Sequence, residues 1–205
     1  MAKTENLKPT RGEATEARRR LIVETAAMCF IEKGFHQTSI RDIANKAKIS
    51  LGNVYNHFDS KAALIAEIAT LEAEELSELQ AKIDKIGNPA KALDKFVSLY
   101  FAYCRAPENS MLSAEIIAEG LRNTEIGTGF TTNREALVTH VAQLIRNARL
   151  QQSNAPTLPK EDAAEFVLDL IEGLAMRSAF IDRKPSSKVA RSLNSAIHAI
   201  VMGQE

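Results

Sequence analysis

The chain has 205 residues, 45% of them hydrophobic and 25% charged, with 26 Lys and Arg balancing 26 Asp and Glu. This is the make-up of an ordinary soluble globular protein of one compact domain or two small ones, long enough to bury a real core. No uncharged apolar run reaches the roughly 18 residues of a membrane span, and "MAKTENLKPTRGEATEARRR" lacks the apolar core of a secretory leader, so a cytoplasmic protein without a membrane partner is expected.

The zero net charge hides an asymmetry. Residues 1–61 carry eleven Lys and Arg against seven Asp and Glu, an excess of four positive charges, and the rest of the chain carries the opposite excess. That split hints at a nucleic-acid or other anionic partner for the N-terminal part. Cys29 and Cys104 lie far apart among apolar neighbours and read as buried free thiols. No spacing suggests a metal or a cofactor.

Sustained period-two alternation is absent and apolar residues recur every three or four positions, so the expected fold is all-α. A first helix is expected from about Glu13 or Thr15 to Lys33, with Ile22, Ala26, Cys29 and Phe30 on one face and Gly34 as its stop. In "HQTSIRDIANKAKI", Ser39 and Asp42 have capping-box spacing, and Ile40, Ile43, Ala44 and Ala47 give a two-turn helix its buried face. A tight link near Lys48 leads to "ISLGNVYNHFDSK", where Ser50 is placed as an N-cap and Ile49 and Val54 as a hydrophobic staple. This third helix holds Gly52, Asn53 and Asn56, all poor helix formers. Asp59 or Ser60 should cap a long fourth helix ending near "IGNP".

Further helices are expected over about 90–105, 110–121, 131–150, 161–181 and 186–201, with "QQSNAPTLPK" and "DRKP" as loops. The boundaries suggested are 1–66, beginning with a disordered arm, and 67–205.

Two short helices joined by a tight turn and preceded by a basic helix form a helix-turn-helix pattern. Residue chemistry strengthens it. Gly52 removes a side chain where backbone could approach a phosphate or base edge, while Ser50, Asn53, Tyr55, Asn56 and His57 supply short hydrogen-bonding groups. Lys61, a cation in the first turn of the fourth helix, opposes the macrodipole and would be relieved by an external phosphate. Arg41 has the guanidinium best suited to guanine O6 and N7.

The stretch "RRRLIVETAAMCFIEKGFHQTSIRDIANKAKISLGNVYNHFDSKAALI" resembles the DNA-binding region of the tetracycline-repressor (TetR) family of bacterial regulators. The likeness rests on "EKGF", "TSIRDIA", "SLGNVYNHF" and the "SK" that opens the fourth helix, and spans about residues 17–65. It implies a transcriptional regulator, in most cases a repressor: an N-terminal three-helix helix-turn-helix DNA-binding domain joined by a long helix to an all-helical ligand-binding and dimerisation domain. Its implied partners are a (pseudo)palindromic double-stranded DNA operator, a second copy in a homodimer, and a small-molecule effector that releases the protein from DNA. By position, the resemblance assigns DNA contacts to Thr38, Ser39, Arg41, Ser50, Leu51, Gly52, Asn53, Tyr55, Asn56, His57 and Lys61. Leu51 departs from the lysine common in the family, exchanging a phosphate contact for an apolar touch to a thymine methyl.

Of three Tyr and eight Phe, five lie between residues 96 and 130. Phe96, Tyr100, Phe101, Tyr103 and Phe130 could line a pocket for a flat or cationic molecule, with Met111, Phe166 and Met176 as apolar wall and Glu115, Glu119 or Glu172 as anchor. Plain core packing is the competing reading for each of them. The last two helices carry more apolar surface than a terminal hairpin needs, which marks Phe166, Leu170, Leu174, Ile181, Val189, Leu193, Ile197 and Ile200 for a two-fold four-helix interface.

The four histidines sit in no HExxH or GxSxG context, and no glycine-rich phosphate loop follows a strand, so catalysis is not expected. The remaining alternative is a helical protein-interaction module, with the acidic "LEAEELSELQ" as its recognition face.

Overall fold

The computed structural model describes residues 10–150, 158–182 and 186–202, and every regular element among them is an α-helix. These are α1 (Arg11–Lys33), α2 (Ile40–Ala47), α3 (Leu51–Tyr55), α4 (Lys61–Asp84), α5 (Pro89–Arg105), α6 (Pro107–Gly120), α7 (Thr124–Arg149), α8 (Lys160–Phe180) and α9 (Ser187–Met202). The chain divides into two compact units, Met1–Ile68 and Ala69–Glu205, and α4 contributes residues to both. The expected N-terminal arm (residues 1–9), most of the loop after α7 (151–157) and residues 183–185 lie outside the described residues.

In the first unit α1 starts earlier than expected. Thr10 and Glu13 form a capping box, with the Thr10 amide donating to Glu13 Oε2 at 2.6 Å, so the first turn is secured before the apolar pattern begins. The helix ends at Gly34, whose φ of 79° is a conformation that glycine adopts most readily. Ser39 and Asp42 make the expected capping box of α2. Its other end is a Schellman motif: the Ile49 amide donates to Ala44 O at 3.0 Å and the Lys48 amide to Asn45 O at 3.2 Å. Lys48 occupies the left-handed position of that motif, at φ 56° and ψ 44°. Ile22, Val23, Ala26, Phe30, Phe35, Ile43, Val54, Phe58, Leu64, Ile65 and Ile68 are buried.

In the second unit α8 packs chiefly against α7 and α5. The core is built from Leu76, Leu79, Ile83, Leu93, Phe96, Val97, Leu137, Val141, Ile145, Val167, Leu168, Ile171 and the inner face of α9. The Arg149 Nε donates to Val201 O at 2.6 Å, and His198 Nε2 lies 2.9 Å from Asp94 Oδ1, so α9 is tied to both α7 and α5.

Two helix starts differ from the sequence expectation. α6 begins at Pro107 rather than Ser110, because proline fits the first turn, where no amide is needed. α7 begins at Thr124, seven residues before Thr131, and takes in Gly127 and Gly129. Both glycines answer to packing. The Cα atom of Gly127 lies 3.6 Å from the place a Cβ on Gly120 would occupy, and a Cβ on Gly129 would fall 2.8 Å from Ala69 Cβ. These two glycines let α7 approach α6 and α4 closely.

The set of residues expected at a dimer contact also divides. Leu193 and Ile197 are 9% and 1% exposed and belong to this chain's own core, with Leu174 and Ile200 packed partly against it. Phe166, Leu170, Ile181 and Val189 do face outward, together with Phe180, which is 90% exposed. Leu193 and Ile197 recur at helical spacing on the α9 face that the tether to α5 and α7 turns inward.

Candidate nucleic-acid interface

α3 is only five residues long, far below the roughly 12 residues at which isolated helices begin to hold. Its surroundings must therefore position it. Ser50 Oγ accepts from the Asn53 amide at 3.1 Å, Val54 is fully buried, and Phe58 just beyond the helix is 2% exposed. The cap contributes about 1 kcal/mol and each buried side chain about 1.5–3 kcal/mol.

Arg19 of α1 fixes the other end. Its guanidinium donates to Glu67 of α4 through Nε at 2.9 Å and Nη2 at 2.5 Å, reaches His57 O from Nη1 at 3.4 Å, and lies 4.5 Å from the Phe58 ring centroid. One side chain thus joins α1, the end of α3 and α4, and the carboxylate raises the guanidinium's already high pKa. Sequence reasoning passed over Arg19. The available signal was its spacing, three, four and seven residues before the buried Ile22, Val23 and Ala26.

Two residues expected at the DNA, Thr38 and Lys61, turn inward instead. The Thr38 side chain is 1% exposed, and its hydroxyl lies 2.8 Å from Gly34 O and 3.1 Å from Cys29 O. It holds the link between α1 and α2. Lys61 Nζ donates to Phe35 O at 2.8 Å and Thr38 O at 3.0 Å and sits 4.3 Å from the Phe35 ring centroid. The conflict with the α4 dipole is relieved by internal carbonyls and a ring face, so no external phosphate is required for it.

Ser39 is exposed, but its hydroxyl is engaged by Asp42, which also accepts from Lys33 Nζ at 2.8 Å. Lys33 and the Ser39 groups hold the Asp42 carboxyl far below the usual carboxylate range.

The other expected residues form an outward set. Gly52, Tyr55 and Asn56 are exposed, Leu51, Asn53 and His57 are half-buried, and Asn53 Oδ1 has no hydrogen-bond partner among the described residues. Ser50 keeps its hydroxyl proton available while capping. A Cβ at Gly52 would meet nothing within 4 Å, and the backbone there is ordinary right-handed helix, so neither packing nor conformation calls for glycine. Of the basic residues in this unit, Arg19, Arg20, Lys33, Lys46 and Lys61 are bound internally. The side chains of Arg11, Arg18, Arg41 and Lys48 make no hydrogen bond or ion pair with the described residues.

The aromatic residues of the second unit divide as well. Phe96 is fully buried and stacks on Tyr100 at 5.4 Å, which in turn stacks with Tyr103 at 6.3 Å. Tyr100 donates to Glu172 Oε1 at 2.7 Å and Tyr103 to Glu75 Oε2 at 3.0 Å. Arg134 binds Glu172, Glu165 and Asp169, three carboxylates on one face of α8. Asn133 donates to Glu72, whose pKa is raised by burial and by the nearby Glu75 and Glu172. Burial pushes the Cys104 thiol up to about 12. A cavity of about 360 Å³ opens beside this cluster, lined by Glu75, Glu78, Leu79, Lys82, Leu99, Tyr103 and Asn109.

Of the expected pocket set, only Tyr103 lines that cavity. Phe166 is 59% exposed on the outer face of α8 and leaves the pocket set, and Met111 is 48% exposed on α6. Phe101, Glu115, Phe130 and Met176 are half-buried, and Phe101 packs against the core.

Comparison with known proteins is decisive on family. A family model described as bacterial regulatory proteins, tetR family, matches residues 22–68. The HTH-type transcriptional regulator UidR of Escherichia coli (strain K12) is 30% identical over 190 residues, which cover 92% of this chain and 95% of UidR. The chain belongs to the tetR family. It is a DNA-binding transcriptional regulator built on a helix-turn-helix, and the reading as a protein-interaction module without DNA binding is not favoured. Another tetR-family relative, the HTH-type transcriptional repressor KstR2 of Rhodococcus jostii (strain RHA1), is 45% identical over 51 residues, a quarter of each chain. The solved structure of Salmonella enterica GusR matches with a TM-score of 0.76 and 27% identity, over 95% of this chain and 99% of that one.

In this tetR-family regulator the inward placement of Lys61 has a measurable consequence. Lys61→Met should lower the stability of the protein by about 1–3 kcal/mol, because the Phe35 and Thr38 carbonyls lose a charged donor. Urea unfolding measures this. Wild-type stability combined with a shallower salt dependence of DNA binding would instead assign Lys61 to a phosphate.

Proposed function

We propose that this regulator reads its operator with the outward set on α2 and α3: Arg41, Ser50, Leu51, Gly52, Asn53, Tyr55, Asn56 and His57. The observation that carries this reading is the open space at Gly52. A glycine inside a helix costs about 1 kcal/mol relative to alanine, and nothing inside the unit uses the missing side chain. An approaching DNA backbone or base edge would use it. Arg41 and Asn53 fit base edges, while Ser50, Tyr55, Asn56 and His57 fit phosphate oxygens.

One short helix reads few base pairs, so sequence-specific binding calls for two copies on two half-sites. Phe166, Leu170, Phe180, Ile181 and Val189 support a homodimer formed through α8 and α9, since they leave an apolar surface that a second copy would bury. A small-molecule effector is assigned to the second unit, near the cavity beside Tyr103 and Glu75. The surplus of carboxylates around Arg134 favours a cationic or hydrogen-bond-donating molecule. Repression, relieved when the effector binds, accords with the repressor KstR2 among its relatives, and the cytoplasm is the compartment in which such a regulator meets DNA.

Gly52→Ala is expected to leave the fold intact, raise stability by about 0.5–1 kcal/mol and weaken operator binding at least tenfold in a gel-shift titration. Unchanged affinity would remove Gly52 from the interface. Phe180→Glu should convert a dimer to a monomer in analytical ultracentrifugation and lower operator affinity with it; a dimer that persists would place the interface elsewhere. In a thermal-shift screen, an amine effector present at a hundred times its dissociation constant should stabilise the protein by about 2.7 kcal/mol. A screen in which only neutral or acidic compounds shift the melt would overturn the cationic assignment.

A further inference from the structure

We propose that Lys48, in the turn between α2 and α3, is a DNA phosphate-binding residue of this regulator. Three independent observations converge on it.

The first is backbone conformation. Lys48 sits at the left-handed position of the Schellman motif that ends α2, with φ 56° and ψ 44°. Glycine is the usual occupant there, because a side chain at positive φ crowds the following carbonyl, and asparagine is the next choice. A long aliphatic side chain gains nothing from the turn geometry. Some other requirement keeps a lysine at a site where glycine would be more stable.

The second is the fate of the other cations in the same unit. Lys33 is paired with Asp42 and Lys46 with Glu32, while Lys61 is bound to the carbonyls of Phe35 and Thr38. Arg19 is held by Glu67 and Arg20 by Glu24. Lys48 is exposed, and its side chain makes no hydrogen bond or ion pair with the described residues. Arg11, Arg18 and Arg41 are unpaired as well, but among the described lysines of this unit only the Lys48 ammonium is left without an internal partner.

The third is position. Lys48 lies two residues before Ser50, the N-cap of α3, so the two Cα atoms are at most about 7.6 Å apart. A helix lying in the major groove brings the turn that precedes it to the phosphates at the groove edge. A lysine stem of four carbons reaches such a phosphate without displacing α3. Leu51 supplies no cation at the start of α3, and Lys61 points inward, so Lys48 is the lysine placed to take on that phosphate role.

The competing explanation is local: a cation just past the C-terminus of α2 complements the helix dipole. The two explanations separate in a comparison of wild type, K48G and K48M. Each protein is titrated by fluorescence anisotropy with a mixed-sequence duplex DNA over a range of salt concentrations, and its thermal unfolding is recorded.

With a phosphate contact, K48G melts higher by about 2–4 °C, because the strain at positive φ is relieved. It nevertheless binds DNA severalfold more weakly, and its plot of log affinity against log salt is shallower by about one for each Lys48 that meets DNA. K48M, which keeps the bulk and removes the charge, shows the same loss of slope. The proposal is overturned if both variants keep the wild-type slope, including the case in which K48M merely melts lower. A loss confined to K48G also overturns it, because that pattern assigns the effect to backbone freedom instead of charge.

Discussion

A five-residue helix has no means of holding its own orientation, and the arrangement of the DNA-binding unit follows from that constraint. α3 forms so few internal hydrogen bonds that its geometry is set by what it is attached to. Ser50 secures its start, Val54 and Phe58 press it into the core, and Arg19 joins its far end to α1 and α4. Poor helix formers are tolerated in its sequence because neighbouring elements supply the stability that the helix itself lacks. The outer face is then free to be chosen for what it touches.

The same logic accounts for the ionic chemistry of this unit. A protein that binds a polyanion needs cations, but a cation left loose on every face would bind without a defined register. Here several are committed to internal partners that brace the helices: Lys33 and Lys46 tie α1 to α2, and Lys61 ties α4 to the α1–α2 link. The second unit treats charge in the opposite way. Arg134 stands among three α8 carboxylates, with Glu72 and Glu75 nearby, so local negative charge exceeds what one guanidinium offsets.

Much of this was legible in the residue order because its causes are local. Capping boxes act across three residues, so Ser39 with Asp42, and the Ser50 cap, could be read directly. Gly34 marked its helix end for the same reason. The reading failed where partners are distant in sequence. Lys61 was assigned to phosphate from its place on the α4 dipole, although its spacing to the buried Leu64, Ile65 and Ile68 already put it on an inward face. Nothing in the local sequence could reveal that the Phe35 and Thr38 carbonyls wait there. The start of α7 was expected seven residues late, near Thr131; isolated propensity disfavours Gly127 and Gly129 in a helix, whereas in the fold α7 needs their lack of side chains to pass close to α6 and α4.

By itself the sequence determined the all-helical class, the order of the elements and the helix-turn-helix, since these depend on periodicity and on caps within a turn of the chain. It also determined the family, since a stretch of some fifty residues carries the pattern nearly from end to end. Tertiary structure alone decided which polar and charged side chains face outward. It turned Thr38 and Lys61 into internal ties and made Arg19 the clamp on α3, and it sent Leu193 and Ile197 into the core. The physical reason is that burial and hydrogen-bond partnership are properties of pairs brought together by folding, and a residue's identity does not specify which distant carbonyl, ring or carboxylate will be beside it.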